Sequence, residues 1–210
     1  MTFYSTVGKR TIDVLAASGL LILTAPVHAL CAAAVRVSSG PPVYFVQERI
    51  GRDGQPFSLM KFRTMQVGTH ERSGGYPTPA MVTPMGKVLR KTSLDEIPQL
   101  FNILKGDMSI VGPRPALRDQ VDRYSQRQRG RLAVRPGLTG LAQVRYRNGA
   151  TWSVRIESDL EYIAKLSFWR DAAITLRTVP AVLFGAGVQT GQTAEDVDDL
   201  GASSPGGLAP

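Results

Sequence analysis

The sequence predicts a small mixed α/β domain carried behind a membrane-inserting N-terminal helix. Three observations predict it. An uncharged apolar run fills residues 14 to 35, a β-hairpin pattern follows at once, and short helix and strand patterns alternate through the remainder. With 210 residues, 43% of them hydrophobic, the chain is long enough for one such domain and a short appendage. The boundaries read as 1–38 for the membrane segment, 39–188 for the folded domain and 189–210 for a disordered acidic tail.

The apolar run is close to the roughly 20 residues that a helix needs to cross a bilayer. A cleaved signal peptide fits poorly, because the run is long and ends at Arg36 rather than at a small-residue cleavage site. Pro26 falls near its middle, where a missing backbone donor kinks a helix. Lys9 and Arg10 precede the run and Arg36 follows it, and basic flanks favour the cytoplasmic side. Charge and proline therefore leave two readings open: a helix that spans, and a re-entrant helix that breaks at Pro26 and returns. Thr24 and His28 are placed to satisfy backbone groups freed at the break.

Residues 43 to 50 and 57 to 65 are rich in strand formers and flank Gly51-Arg52-Asp53-Gly54, which predicts a hairpin. Alternation then puts Lys61 and Arg63 on one face, either a solvated surface or part of a site. Residues 66 to 83 read as a mobile loop of functional length. Thr83-Pro84 predicts a capped helix running to Lys91. Ser93 and Glu96 have capping-box spacing, which predicts a second helix to Leu104, distorted at Pro98 and stopped at Gly106.

Further along, 107 to 111 reads as a short strand, Gly112-Pro113-Arg114-Pro115 as irregular chain, and 116 to 131 as a charged helix. Arg135-Pro136-Gly137 is a turn leading to a strand at 141 to 146. Ser153 is placed to cap a helix ending at Leu166. The segment 168 to 184, with Trp169 near its start, suits a helix lying on a membrane surface or a core helix equally. The tail from 189 has the composition of disorder.

Composition narrows the chemistry. Lys and Arg number 25 against 17 Asp and Glu, and four of those acids lie in the tail, so the body carries 25 positive against 13 negative groups. That surplus of twelve calls for an anionic partner: phosphates, acidic lipid or nucleic acid. A lone Cys31 excludes an internal disulfide, and the two histidines, His28 and His70, are too few and too far apart for a zinc site or a Ser-His-Asp triad. No Walker A or Gly-x-Gly-x-x-Gly pattern occurs. Catalysis must then rest on carboxylates and cations.

Asp95 and Glu96 form the densest candidate, with Arg90 and Lys91 just before them. Acids at a helix start also simply answer the helix dipole. What favours chemistry is their company: Lys61, Arg63, Arg90, Arg114 and Arg135 each stand beside Gly, Pro or a strand end. Guanidinium groups suit bidentate phosphate contacts, and adjacent carboxylates suit a nucleophile beside a Mg²⁺ ligand.

These motifs, in this order, resemble one family. Lys9-Arg10-x-x-Asp13, the proline-broken run, Lys61-Phe62-Arg63-Thr64-Met65 and Ser93-Leu94-Asp95-Glu96-Ile97-Pro98-Gln99-Leu100 are similar to segments of the bacterial sugar transferases, the monotopic phosphoglycosyl transferases. Gly106-Asp107-Met108-Ser109, Val111-Gly112-Pro113-Arg114-Pro115 and Arg135-Pro136-Gly137-Leu138-Thr139-Gly140 extend the resemblance over roughly residues 5 to 185. It implies a re-entrant membrane helix, a catalytic domain on the cytoplasmic face of the bacterial inner membrane, and Mg²⁺ dependence. It further implies that Asp95 attacks the sugar-side phosphate of a nucleotide-sugar donor, with uridine as the implied base. Glu96 would hold Mg²⁺, and polyprenyl phosphate would accept the phosphosugar from Asp95, which starts glycan assembly. Lys61, Arg90 and Arg114 match positions around the phosphates. Arg63, Pro113, Arg135 and Gly137 match positions that shape the site, and Asp159 matches a further segment with a role that could be structural.

Ala25-Pro26 departs from the Ser-Pro usual at the helix break, so the kink rests on Pro26. Few residues precede the run, so the chain is expected to be a minimal catalytic unit. The expected partners are nucleotide-sugar, polyprenyl phosphate and membrane lipid, without nucleic acid. A membrane-tethered nucleic-acid-binding protein would also explain the basic body, but it predicts stacking aromatics among the basic residues, and these are sparse. A non-enzymatic adaptor gives no reason for Asp95-Glu96 or Gly-Pro-Arg-Pro. Sugar identity, glycan pathway and oligomeric state are not legible in the sequence.

Overall fold

Helix α1, Lys9–Ser39, runs the length of the domain and is held by it at both ends in the computed structural model, which describes residues 4–69, 79–146, 149–183 and 198–200. At its start Lys9 Nζ lies 2.5 Å from Asp171 Oδ2, and the Arg10 guanidinium donates to the carbonyls of Ile103 and Leu104 at 2.6 and 2.9 Å. At its end Arg63 Nη2 donates to the carbonyls of Ser39 and Gly40 at 2.6 and 2.7 Å. Between these ends a stripe at helical spacing packs inward: Asp13, Ala17 and Leu21, then His28, Cys31 and Val35. The opposite stripe, Leu15, Ile22, Leu23, Leu30 and Val37, is exposed.

Pro26, where the sequence places the helix break, lies inside this helix, which continues past it. Inward contacts continue on both sides of the proline, so tertiary packing maintains helical geometry across one lost hydrogen bond. The roles expected of Thr24 and His28 also differ. Thr24 donates to the Leu20 carbonyl, and His28 Nε2 shares a 2.8 Å hydrogen bond with the Tyr44 hydroxyl.

The predicted hairpin forms. Strands β1, Tyr44–Ile50, and β2, Pro56–Phe62, pair antiparallel with Phe45 opposite Lys61. Arg63 falls just beyond the strand, so it does not share a strand face with Lys61. Helix α2, Pro84–Lys91, starts as expected, with the Thr83 hydroxyl accepting from the Gly86 amide. Met65 bridges to Val82, which closes the base of the loop; residues 70 to 78 of that loop, including His70, lie outside the described residues.

The capping box at Ser93 does not form. Ser93 is left-handed, at φ 56°, and 94 to 96 make one 3₁₀ turn before α3, Gln99–Lys105. Glu96 is drawn to Lys61 rather than back to the Ser93 amide. Pro98 stands at the N-cap of α3, where its missing donor costs nothing, and Gly106 ends the helix at φ 99° as predicted.

Strand β3, Ser109–Val111, pairs parallel with β4, Gly137–Thr139. The long helix expected over 116 to 131 is replaced by α4, Arg118–Asp122, and a 3₁₀ segment at 128 to 133. Ser125 and Gln128 exchange side-chain and backbone hydrogen bonds between the two pieces, a local alternative to continued helix. Residues 141 to 146 form helix α5, Leu141–Tyr146, rather than a strand, because Leu141 and Val144 pack together against Val111, Tyr162 and Ile174. Helix α6, Trp152–Ala164, begins after Thr151, two residues before the expected cap.

Helix α7, Phe168–Leu183, buries Asp171 and Ile174 and exposes Phe168, Trp169, Leu176 and Val179. Part of the expected disordered tail is docked. Asp198 accepts two hydrogen bonds from Arg123, Asp199 accepts from the Ser153 amide, and Leu200 is buried with Ile50, Val121 and Ile156. The rest of the tail lies outside the described residues.

Candidate active site

The turn that carries Asp95 and Glu96 is pinned by its apolar neighbours. Leu94 and Ile97, three residues apart and eclipsed in a 3₁₀ turn, pack against Phe62 and Leu89. The carboxylates between them are thereby directed toward β2. Left-handed Ser93 makes the sharp reversal from α2 that this requires, a strained conformation of the kind concentrated at functional sites.

Lys61 comes from β2 to meet them, with Nζ 2.5 Å from Glu96 Oε1. Arg114 Nη2 lies 3.8 Å from the same oxygen. Burial alone would raise the Glu96 pKa, but the charges of Lys61 and Arg114 outweigh it and hold the group at about 2. Asp95, only 8% exposed, is pushed the other way, to about 6. Burial is the main cause there; Glu96 adds to it, while Lys61, Arg90 and Arg114 oppose it. Two adjacent carboxylates thus differ in proton affinity by environment alone. At neutral pH both are ionised, and Asp95 keeps the stronger basicity. Arg90 reaches this side of the domain because Gly86 lets α2 lie directly on the Thr64 backbone, and Arg90 Nε donates to Thr64 Oγ1 at 2.9 Å.

Arg114 is aimed by its backbone. The Gly112 amide bonds the Thr139 carbonyl and the Gly137 amide bonds the Pro113 carbonyl, so the Gly-Pro-Arg-Pro loop extends the β3–β4 ladder. A Cβ at Gly137 would stand 2.1 Å from the Gly112 nitrogen, so only glycine allows this approach. From the other side, buried Arg131 donates to the Arg114 carbonyl at 3.0 Å and pairs with Asp159 at 2.6 Å. Asp159 therefore acts through Arg131 as part of the frame.

The structure brings together Lys61, Asp95, Glu96 and Arg114, with Arg90 near Asp95. Pro113 and Gly137 form the backbone contact that holds the Arg114 loop. Two other predicted site residues go elsewhere. Arg63 binds the last carbonyls of α1, and Arg135 Nε donates to the Gly106 carbonyl at 2.7 Å. With Arg10 on Ile103 and Leu104, Arg135 completes the capping of the α3 C-terminus. Sequence reasoning missed Asn102, which is fully buried. Its amide accepts from Met60 N and donates to Ser58 O, binding α3, the helix that follows the dyad, to the edge of β2. A polar residue among the apolar ones of Leu-Phe-Asn-Ile-Leu was the available signal.

Among the described residues no group of three or more His, Cys, Asp and Glu side chains converges as a metal cage. The dyad offers instead two adjacent carboxylates, the arrangement that Mg²⁺ uses when substrate phosphates complete its coordination. Glu96 is an oxygen ligand of the kind that ion takes.

The model of the bacterial sugar transferase family matches residues 4–185. The uncharacterized sugar transferase EpsL of Bacillus subtilis is 42% identical over 181 residues, covering 86% of this chain and 90% of the relative. The UDP-glucose:undecaprenyl-phosphate glucose-1-phosphate transferase of Caulobacter vibrioides is 46% identical, covering 83% and 69%. The exopolysaccharide production protein ExoY of Rhizobium meliloti is 39% identical, covering 85% and 87%. A family match over almost the whole folded part, joined by relatives at this identity, means that the chain belongs to the bacterial sugar transferase family.

Proposed function

We propose that this protein transfers a sugar-1-phosphate from a UDP-sugar to undecaprenyl phosphate through a covalent intermediate on Asp95, in exopolysaccharide or related glycan synthesis. The observation that carries the reading is the buried Asp95, ionised yet basic, beside a Glu96 held by Lys61 and Arg114. In the first displacement an Asp95 oxygen attacks the sugar-bearing phosphorus, and the phosphoanhydride bond breaks to release the nucleoside monophosphate. In the second, an oxygen of the lipid phosphate attacks the same phosphorus and Asp95 leaves as carboxylate. No net proton transfer is required in either step.

Lys61, Arg90 and Arg114 offset the charge that gathers on the phosphate oxygens. Glu96 would hold Mg²⁺, which supplies further positive charge there when bound. The membrane reading belongs to the same proposal. Both ends of α1 are tied to one domain, so a helix placing its ends in opposite compartments would pull that domain apart. A monotopic helix on the cytoplasmic face, with its exposed stripe in lipid and Trp169, Leu176 and Val179 of α7 at the interface, agrees with these ties. Incubating the full chain with a panel of nucleotide-sugars and undecaprenyl phosphate tests the reading: one donor should release nucleoside monophosphate in step with lipid-linked sugar. Absence of release with every donor would refute it.

A further inference from the structure

The match to the bacterial sugar transferase family ends at residue 185, yet the chain is seated on the domain again at Asp198, Asp199 and Leu200. The Leu200 amide donates to Asp198 Oδ1 at 3.2 Å, an Asx turn that closes the segment on itself. Around that turn the Arg123 guanidinium holds both Asp198 oxygens, at 3.0 and 2.8 Å, and reaches the Leu200 carbonyl at 3.2 Å. Asp199 has a different partner. Helix α6 has no side-chain cap from Thr151 and no acid in its first turn. Asp199 supplies both from 46 residues away, with Oδ1 accepting from the Ser153 amide at 2.9 Å. Burial would raise the Asp199 pKa, but that amide and the hydroxyls of Thr151 and Ser153 hold it below the ordinary aspartate value.

The seat is built from the supports of Arg114. Buried Leu200 packs with Ile50, Ala116, Tyr124 and Ile156. Ala116 follows the Gly-Pro-Arg-Pro loop, and its carbonyl accepts from the Ile50 amide at 2.9 Å, which ties the exit of the loop to β1. The Tyr124 hydroxyl accepts from Arg131, and Arg131 donates in turn to the Arg114 carbonyl. Asp159, the partner of Arg131, stands on the helix whose start Asp199 caps. Leu200 and Asp199 thus touch all three supports: the loop exit, the pair of Tyr124 and Arg131, and α6. Resting on the proposed transfer reaction, we propose that residues 198 to 200 are a positioning element of the active site, which holds the Arg114 guanidinium in reach of Glu96 and of the reacting phosphates. They act through Arg114 and touch no substrate. Held by one ion pair, one cap and one leucine, the segment is replaceable in trans by a peptide of the same sequence.

The test is the full chain carrying Asp198→Ala, Asp199→Ala and Leu200→Ala together, assayed in detergent for donor cleavage with and without a peptide of residues 195 to 203. The kcat for cleavage should fall about tenfold, the scale of one lost helix cap. Millimolar peptide should restore it, and a scrambled peptide should not. In an Arg114→Ala background the same three substitutions should change kcat by less than about twofold, because the group they position is gone. Asp199→Ala alone serves if the triple variant folds poorly, and Asp199→Ser, which keeps an oxygen at the cap, should recover most of the loss. Unchanged kcat in the triple and single variants would overturn the proposal, as would equal losses with and without the Arg114 side chain. Amide exchange is read beside the kinetics. The Gly137 and Ile50 amides, bonded to the Pro113 and Ala116 carbonyls on either side of Arg114, should exchange about tenfold faster in the triple variant and slow again with peptide. That readout needs no donor, so it supports the positioning even if the transfer reading fails. Unchanged exchange would overturn the positioning and leave the transfer reading standing.

Discussion

Lys61 and Glu96 lie 35 residues apart in sequence and 2.5 Å apart in space, and this one pair joins the hairpin to the turn that carries Asp95. The Glu96 pKa, about 2, is below its unfolded value, so the stability it contributes is present above about pH 4.5 and lost as pH falls toward 2. A double-mutant cycle of Lys61→Met and Glu96→Gln at pH 7 should give a coupling of about 1–3 kcal/mol. Strictly additive losses in unfolding free energy would mean that the pair holds nothing together.

Asp95 behaves in the opposite sense. Its native pKa of about 6 lies above the unfolded value, so its contribution to stability is full below about pH 4 and is lost as pH rises through 6. Asp95→Asn should therefore stabilise the protein by about 1–3 kcal/mol at pH 7.5, while the two proteins should unfold alike at pH 4. Thermal unfolding at both pH values checks this. A variant less stable than the parent at pH 7.5 would contradict the burial of an ionised carboxylate.

Arg114 and Arg135 should separate by phenotype. Arg114→Ala should lower the rate of donor cleavage at least tenfold with little change in unfolding temperature, because its side chain is half-exposed and faces Glu96. Arg135→Ala should lower stability by about 1–2 kcal/mol, since it leaves the Gly106 carbonyl at the α3 terminus without its donor. Kinetics and melting curves of the two variants decide it; equal effects on cleavage would return Arg135 to the reaction centre.

The contrast between those arginines shows where sequence reading reached its limit. The hairpin, the Thr83-Pro84 helix start and the Gly106 stop follow from local rules, and all three form. Charge at turns marks Lys61, Arg90 and Arg114 as company for Asp95 and Glu96, but it marks more than these. Arg63 and Arg135 carry the same charge at the same kind of position. Only the fold shows that helix ends at Ser39 and Gly106 claim them. The helix at 141 to 146 was unreadable for a related reason: its short apolar pattern fits both periods, and packing on Tyr162 decides between them. Capping-box spacing at Ser93 says nothing of Lys61, which lies 35 residues before Glu96 and claims its carboxylate.

Topology can be tested at the two ends of α1. Single cysteines at Ser5 and Ser39, in a Cys31→Ala background, should both resist a membrane-impermeant thiol reagent until the membrane is opened. Labelling at Ser5 alone from outside intact cells would show a spanning helix, and the ties from Lys9 to Asp171 and from Arg63 to Ser39 could not then coexist.

The central claim is that Asp95 is the nucleophile, and intact-protein mass spectrometry reads it most directly. With the productive UDP-sugar and no lipid acceptor, the parent should gain the mass of one phosphosugar, and addition of undecaprenyl phosphate should remove it. Asp95→Asn should gain nothing, while Glu96→Gln should gain the same adduct slowly. An adduct retained in Asp95→Asn, or full turnover in that variant, would contradict the assignment.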